Sequence, residues 1–285
     1  MAKIIRQSAT AILSLIFFAL SLASSSFADS SSAKHPLRIA STNLCTDQFL
    51  LQIAPRERII SISYLAVDPD YSAMWEAAEN IPINHGLAEE IIPLKPDLVL
   101  TTPYTPGNAT RLLLQQGFNV AELELPNTID EMVTFTEKMG ELLGEKEKAN
   151  ILAAQLRARL EVLEKNRQDH GTALVYAPNG YTGGAETLKD EIMTRAGWKN
   201  LATEIGMKGY GNLPLESLVR NPPDLLIFDN STRDTNSRAQ QLLNHPALKK
   251  IQEHQSIKLP SHLWLCATPN LIDTIEQLAA LPPRK

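Results

Sequence analysis

Two stretches of the chain repeat one pattern of polar and apolar positions. Residues 89–102 read EEIIPLKPDLVLTT and residues 215–229 read LESLVRNPPDLLIFD. Each stretch has an acid, a short amphipathic segment, a Pro-Asp pair and a continuous apolar run. In both, the acid precedes the aspartate by eight positions, Glu89 to Asp97 and Glu216 to Asp224. Proline excludes the helical conformation from the residue before it and Asp favours turns, so each copy predicts a helix end followed by a strand. The runs LVL and LLIF suit parallel strands covered on both faces. A helix feeding a buried strand is half of an α/β unit, and two copies 127 residues apart predict two similar α/β lobes.

The remaining periodicity fills in the rest. Strands are expected at 37–40, 59–62, 81–83, 98–100 and 120–123, with helices at 48–53 and 111–116. A second series has strands at 172–176, 225–228 and 263–265 and helices at 187–196, 239–243 and 270–280; residues 198–201 and 206–211 read as connecting loops. Between the two series, Thr128-Ile129-Asp130-Glu131 is a capping-box pattern. It opens a helical tract at 132–143, and after Gly144 a second at 145–166. In the latter Ala149, Leu152, Leu156, Leu160 and Leu163 make one apolar face. A helix of over 20 residues spans roughly 30 Å, the width of a domain, which predicts a spine across the backs of both lobes. A coiled coil would need the pattern to last beyond the two heptads it covers. The expected fold is α/β: two small lobes with mainly parallel sheets, 37–127 and 171–285, joined through 128–167 by one long rigid α-helix.

The N-terminus is an address. Lys3 and Arg6 precede an apolar stretch at 9–22, and Ser26-Phe27-Ala28 offers small residues at cleavage spacing, so residues 1–28 read as a signal peptide cleaved after Ala28. An uncleaved anchor is the other reading, but an apolar stretch of about 14 residues is short for a bilayer span. No Cys occurs before Cys45, so lipid attachment at a new N-terminal Cys is not expected. A soluble periplasmic protein fits best. Loss of Lys3 and Arg6 takes the net charge from -5 to -7, against nucleic-acid or anionic-membrane binding. The compartment permits a disulfide between Cys45 and Cys266, the chain's two cysteines; two independent buried thiols is the alternative.

In an open parallel sheet, ligands bind beyond the C-terminal ends of the strands. The loops there hold Asn43, Tyr64, His85 and Tyr104 in the first lobe, and Tyr176, Tyr181, Tyr210, Arg233 and Trp264 in the second. Five of the six tyrosines fall in this set. Singly, each is ordinary packing; gathered at strand ends beside Gly, Asn and Thr, they suit a bulky, partly apolar ligand. Catalytic patterns are missing. The glycine-rich run 180–184 lacks phosphate-loop spacing and its Lys, there is no G-x-S-x-G or H-E-x-x-H, and no nucleophile, base and orienting group assemble. No catalytic residue and no protein-held metal site is expected. For His85, a satisfied strand-end histidine and a ligand to a cobalt or iron centre both stand.

The signal peptide, the lobe–helix–lobe layout, the loop 41–47 and the twice-used Glu…Pro-Asp phrase resemble the periplasmic binding proteins of metal-chelate ABC importers, which deliver cobalamin, ferric siderophores or haem. The resemblance covers about 38–278. It implies a ligand cleft between lobes that move little, a transported metal chelate with no resident cofactor, a monomer, and an inner-membrane ABC permease dimer as partner. It further implies one docking glutamate on each lobe, best matched by Glu79 and Glu216, with Glu76 and Glu89 about a turn from the first. The loops carry mainly Tyr, Asn and Thr, with Lys208 and Arg233 the evident cations and Arg38 or Arg195 able to swing in. That points to cobalamin first, then a ferric siderophore. A haem-binding transport protein is the alternative, and a two-lobed metal-dependent enzyme a further one, which the shortage of Cys and His opposes.

Overall fold

The first copy of the repeated phrase becomes an interior strand of a five-stranded sheet. That sheet contains β1 (Ile39–Ser41), β2 (Ile59–Ser63), β3 (Ile83–Asn84), β4 (Leu98–Thr101) and β5 (Val120–Glu122) in the order β3-β2-β1-β4-β5. All of its pairings are parallel. The protein is described from a computed structural model that covers residues 35–105, 107–229, 237–252 and 256–282. The leader with its expected cleavage point after Ala28, and Arg233, lie outside the described residues. The described fold belongs to one compact unit, Pro36–Lys285.

The second copy becomes the corresponding strand of another sheet. In chain order the later strands are β6 (Gly171–Tyr176), β7 (Tyr181–Gly183), β8 (Trp198–Asn200), β9 (Tyr210–Asn212), β10 (Leu225–Asp229) and β11 (Ser256–Leu259). Four of them form a parallel sheet ordered β11-β10-β6-β8, and β7 with β9 makes an antiparallel ribbon. β4 and β10 are buried along their whole length, as continuous apolar runs require. They lie in different sheets, so the duplication in sequence is a duplication of lobes.

The longer helices are α1 (Leu44–Ile53), α2 (Gly107–Gln115), α3 (Ile129–Leu143), α4 (Lys146–Lys165), α5 (Leu188–Arg195), α6 (Leu215–Arg220), α7 (Pro246–Gln252) and α8 (Leu271–Ala279). The connection between the lobes is a hairpin of two long helices rather than one. Gly144 takes a left-handed conformation (φ 72°) and reverses the chain. Gly140 lets the two helices touch, since a Cβ there would meet the Ala149 Cβ at 2.1 Å. Both helices cross between lobes. α3 starts against the second lobe, where the Ile129 amide donates to Glu191 at 3.0 Å. It ends at the first, where Arg58 donates to the Leu143 carbonyl at 2.5 Å and to Glu145 at 2.6 Å. α4 returns, and Arg159 pairs with Asp273 and Glu276 on α8. One continuous core results, joining Ile39 and Phe49 of the first lobe, Phe135 and Leu156 of the hairpin, and Ile192 and Ile275 of the second. Each such side chain contributes about 1.5–3 kcal/mol by burial, so the lobes are held by packing as well as by chain connection.

Three local expectations change. Residues 263–265 are not a strand: Pro260 ends β11 four residues after its start, and a 3₁₀ turn, Ser261–Leu263, follows. Residues 198–200 and 210–212, read as loops, are β8 and β9. In β8 Trp198 and Asn200 point inward and Lys199 outward, a period-two signal too short to separate from a loop.

Candidate functional site

In the first sheet the strand order reverses between β1 and β4, and the loops leaving those strands form the floor of a cleft. Asn43 ends the first of them and caps α1, its side chain accepting the Cys45 amide at 2.9 Å. Cys45 is disulfide-bonded to Cys266, with Cα atoms 5.5 Å apart, so the start of α1 is tied to the segment that follows β11 in the other lobe. Beside it Thr268 donates to the Gln48 side chain at 3.5 Å. An inter-lobe cavity of about 250 Å³ lies here, lined by Cys45, Phe49 and Tyr104 from one lobe, Glu186, Leu188 and Tyr210 from the other, and the crossover residues Leu125, Pro126 and Asn127. That is below the usual range for a ligand pocket, roughly 300–1,000 Å³; of the exposed rings expected at the cleft, Tyr104 and Tyr210 line it.

Four exposed rings stack in two pairs. Tyr64, after β2, stacks on His85, after β3, with centroids 5.1 Å apart and planes at 25°. On the second lobe Tyr181 of β7 stacks on Tyr210 of β9 at 5.9 Å and 8°. Tyr64, Tyr181 and Tyr210 are half-exposed and Tyr104 is 75% exposed. Two other expected cleft residues are core. Tyr176 is 0% exposed in the second lobe's apolar cluster, its hydroxyl donating to the Leu213 carbonyl at 3.4 Å. It is the last residue of β6 rather than part of the loop beyond, and alternation along the strand sends its ring inward. Trp264 is 3% exposed and belongs to the main core. The turn after Pro260 folds it beneath the cleft instead of displaying it from a strand end.

Among the described residues, the cations that the sequence offered to the cleft are engaged, and so is Lys189. Buried Lys189 bonds Asp229 at 2.5 Å, and its Nζ lies 5.2 Å from the Trp264 ring and 6.0 Å from that of Tyr181. Ser261 donates to the other oxygen of Asp229 at 2.6 Å. Lys208 pairs with Glu186 at 3.1 Å. Arg195 is held by Glu191 and Asp130, and Arg38 by the Leu94 and Lys95 carbonyls. Nothing in the sequence pointed to the Lys189–Asp229 pair, whose members are 40 residues apart.

Beneath Tyr64 and His85 lies a polar bed. Ser41, Thr46, Asp47, Ser61, Ser63 and Asn84 are all buried. The residues just before the two rings anchor it: Ser63 donates its amide and its hydroxyl to Asp47, and the Asn84 amide donates to the Ser41 carbonyl, the Ser61 hydroxyl and the Ile62 carbonyl. Burial raises the Asp47 carboxyl to about 7, against the lowering effect of hydrogen bonds from Ser41 and Ser63. On the far side of His85, Gly86 takes φ +76° and donates to the Asn84 side chain at 3.0 Å. Its Cα faces Thr42 and Thr105, so His85 stands beside the loops from β1 and β4. Glu90 receives the His85 ring Nδ1 at 2.8 Å and its amide at 2.6 Å. The His85 hydrogen bond holds the Glu90 carboxyl below its ordinary range. Glu90 was not among the expected site residues, although an acid closing a helix's first turn after a strand-end His is a readable signal.

The glutamates separate by sheet edge. Glu79 closes a one-turn helix, Trp75–Ala78, and its carbonyl accepts from Arg56, which precedes β2. It therefore lies at the N-terminal edge of the first sheet, away from the cleft. Glu89, exposed, is in the first turn of the helix Ala88–Ile91 that follows β3. Glu216, exposed, is in the first turn of α6, which follows β9. By element and by register, the counterpart of Glu216 is Glu89.

A family profile described as "Periplasmic binding protein" matches residues 39–262. A curated relative, a "Cobalamin-binding protein" of Halobacterium salinarum, is 24% identical over 198 residues, which is 67% of this chain and 53% of the relative. The chain thus spans about half the length of that relative. Among solved structures, a periplasmic heme-binding protein of Roseiflexus sp. RS-1 superposes with a TM-score of 0.72 at 21% identity, over 85% of this chain and 96% of that one. A periplasmic heme binding protein of Pseudomonas aeruginosa gives 0.70 at 21%, over 86% and 92%. At such identities the likeness is one of fold.

Proposed function

Since the chain belongs to the periplasmic binding protein family, we propose that it is the exported binding component of an ABC importer and that its cargo is a metal tetrapyrrole, haem ahead of cobalamin. The observation that carries the reading is the pair of ring stacks, Tyr64 with His85 on one lobe and Tyr181 with Tyr210 on the other. Each stack presents exposed aromatic surface, one on each lobe, which suits a flat, largely apolar disc held between them. A strongly anionic ferric siderophore fits less well, because among the described residues Lys189, Lys208, Arg38 and Arg195 already serve protein partners. The solved haem binders of the same fold favour haem, and the curated cobalamin-binding relative keeps cobalamin as the second reading. The described residues gather no group of three or more His, Cys, Asp or Glu that would hold a bare ion, which suits capture of a metal already chelated.

Delivery requires a permease, and Glu89 and Glu216 are the docking charges in this reading, one exposed acid at the cleft edge of each lobe. The test of the cargo is titration of hemin, aquocobalamin and a ferric hydroxamate into the mature protein, followed by quenching of its intrinsic fluorescence. Hemin should bind at least about tenfold tighter than the hydroxamate, a difference of about 1.4 kcal/mol. Binding of the hydroxamate alone would overturn the tetrapyrrole assignment.

A further inference from the structure

We propose that Lys189 is the positioning residue of the second lobe's aromatic face: its buried ammonium, anchored by Asp229, holds the Tyr181 ring in its stack on Tyr210, ready for the flat face of a cargo. This rests on the reading above that the stack receives cargo.

Lys189 stands where a lysine is least expected. It is the second residue of α5, after the cap Thr187, and the positive end of a helix dipole disfavours a cation there. Its neighbours Asp190 and Glu191 are the acids that such a position favours. It is also buried, 7% exposed, with a buried carboxylate as its partner. Taking two charges out of water offsets most of what their attraction contributes, and an apolar pair of similar size often serves stability as well or better. Stability therefore does not account for this lysine.

What the ion pair builds is a fixed cation beneath two rings. Asp229, the last residue of β10, is held at its other oxygen by Ser261, in the turn after β11, at 2.6 Å. Three elements thus fix the ammonium: α5, β10 and that turn. Its Nζ lies 5.2 Å from the centroid of buried Trp264 and 6.0 Å from that of half-exposed Tyr181. Both distances fall within the roughly 6 Å over which a cation is attracted to a ring face.

Tyr181 needs such a hold. Its strand, β7, is three residues long and pairs with β9, also three, and a two-stranded ribbon by itself is marginal. Asn200 and Thr187 tie the far end of β7 through the Gly183 and Gly184 carbonyls, at 2.8 and 2.7 Å. That fixes the main chain but not the direction of the ring. Direction comes from the ring's two neighbours, the ammonium and Tyr210. Tyr210 in turn lines the inter-lobe cavity together with Leu188, the residue before Lys189. The path from buried charge to cleft is therefore two rings long.

A positioning role is read from coupling. Hemin and aquocobalamin are titrated into the full mature chain with quenching of intrinsic fluorescence as the signal, and melting is recorded beside each isotherm. Lys189→Gln with Asp229→Asn replaces the ion pair by a neutral pair that can still hydrogen-bond. It should melt like wild type and bind hemin about three- to tenfold weaker, the span expected of one cation–ring contact. Tyr181→Ala should bind about thirtyfold weaker, and adding the neutral pair to it should weaken binding no further, because Lys189 acts through that ring. A lysine that only supports the fold would give losses that multiply. Multiplying losses, or a neutral pair that binds as wild type does, would overturn the inference; with Tyr181→Ala still weak, the cargo reading would stand. Should the neutral pair fail to fold, Lys189→Met with Asp229→Leu, an apolar pair, completes the same cycle. If neither probe binds wild type, or Tyr181→Ala binds as tightly as wild type, the cargo reading falls and the inference with it.

Discussion

Asp97 and Asp224 hold the same place in the two lobes: each carboxylate binds the start of the strand next to its own. Asp97, just before β4, accepts the amides of Leu37 and Arg38, both at 3.0 Å, where β1 begins. Asp224, just before β10, accepts the Thr172 amide at 2.8 Å and its hydroxyl at 2.9 Å, in β6. β1 pairs with β4 and β6 with β10, so the Pro-Asp turn both ends a helix and sets the register of the central strand pair. Asp224→Ala should cost about 1–3 kcal/mol, because it leaves a part-buried amide without an acceptor. Asp97→Ala should cost less, its site being exposed. Urea midpoints with unchanged m-values check this, and midpoints equal to wild type would remove the carboxylates from the account of the fold.

That shared role explains what could be read from the chain. The Pro-Asp phrase works through local physics, turn preference and an apolar run, so it announced both lobes. Strand-end position puts Tyr64, His85 and Tyr104 at the surface beyond β2, β3 and β4, whereas Tyr181 and Tyr210 are exposed as the first residues of β7 and β9. Which way a ring points at the end of a strand depends on one residue of register, and this is where Tyr176 and Trp264 misled: one faces the core at the last position of β6, the other is folded under by the turn after Pro260. The helix reversal at Gly144 was visible as a breaker but not as a hairpin, because nothing local says that Gly140 will touch Ala149. The Glu90–His85 and Lys189–Asp229 pairs are tertiary contacts, and only the first leaves a trace at short range.

The buried carboxyl of Asp47 makes stability depend on pH. Its folded-state value is raised from 3.8 to about 7, so the native state binds more protons than the unfolded one between those limits. The contribution of this group to stability is then full below about pH 4, declines as pH rises, and is lost above about pH 7. A shift of this size corresponds to an upper limit of about 4 kcal/mol. Asp47→Asn, which cannot ionise, should flatten the decline. Thermal unfolding of both proteins at pH 5 and pH 8 measures it; parallel profiles would show that Asp47 is not the titrating group.

The Cys45–Cys266 bond closes 221 residues of chain and clamps the cleft floor. Replacing both with Ser should lower stability by about 2–5 kcal/mol. It should also weaken ligand binding, since Cys45, Cys266 and Ala267 all line the inter-lobe cavity. Calorimetric melting and hemin titration of the double variant read the two effects. A loss of stability with unchanged affinity would confine the disulfide to holding the fold.

The rings divide by burial into two predicted classes. Tyr181→Ala and Tyr210→Ala remove half-exposed faces, so each should weaken binding by about thirtyfold, near 2 kcal/mol, with little change in melting. Tyr176→Ala and Trp264→Ala empty core sites and should cost about 3–5 kcal/mol of stability. Denaturation curves beside binding isotherms separate the classes, and a binding loss in Tyr176→Ala without destabilisation would return that ring to the cleft.

Glu89 and Glu216 make the last prediction, about the permease. Each sits eight residues before the aspartate that locks a strand pair, in the first turn of a helix on the cleft edge of its lobe. Both are exposed, and exposed acids contribute little to folding. A charge paired across an interface is worth far more to docking, up to several kcal/mol when its partner is left buried and unmatched. The two properties should therefore come apart. Glu89→Ala with Glu216→Ala should melt like the parent and bind cargo normally, yet fail to stimulate ATP hydrolysis by the cognate permease in membranes. Each single change should give a partial defect, because the other lobe still docks. Glu79→Ala serves as the contrast: at the opposite edge of the sheet, it should stimulate as wild type does. If Glu79→Ala abolished stimulation while Glu89→Ala did not, the permease would meet the lower edge of the first lobe, and the matched-register argument would fail for docking while still holding for the fold.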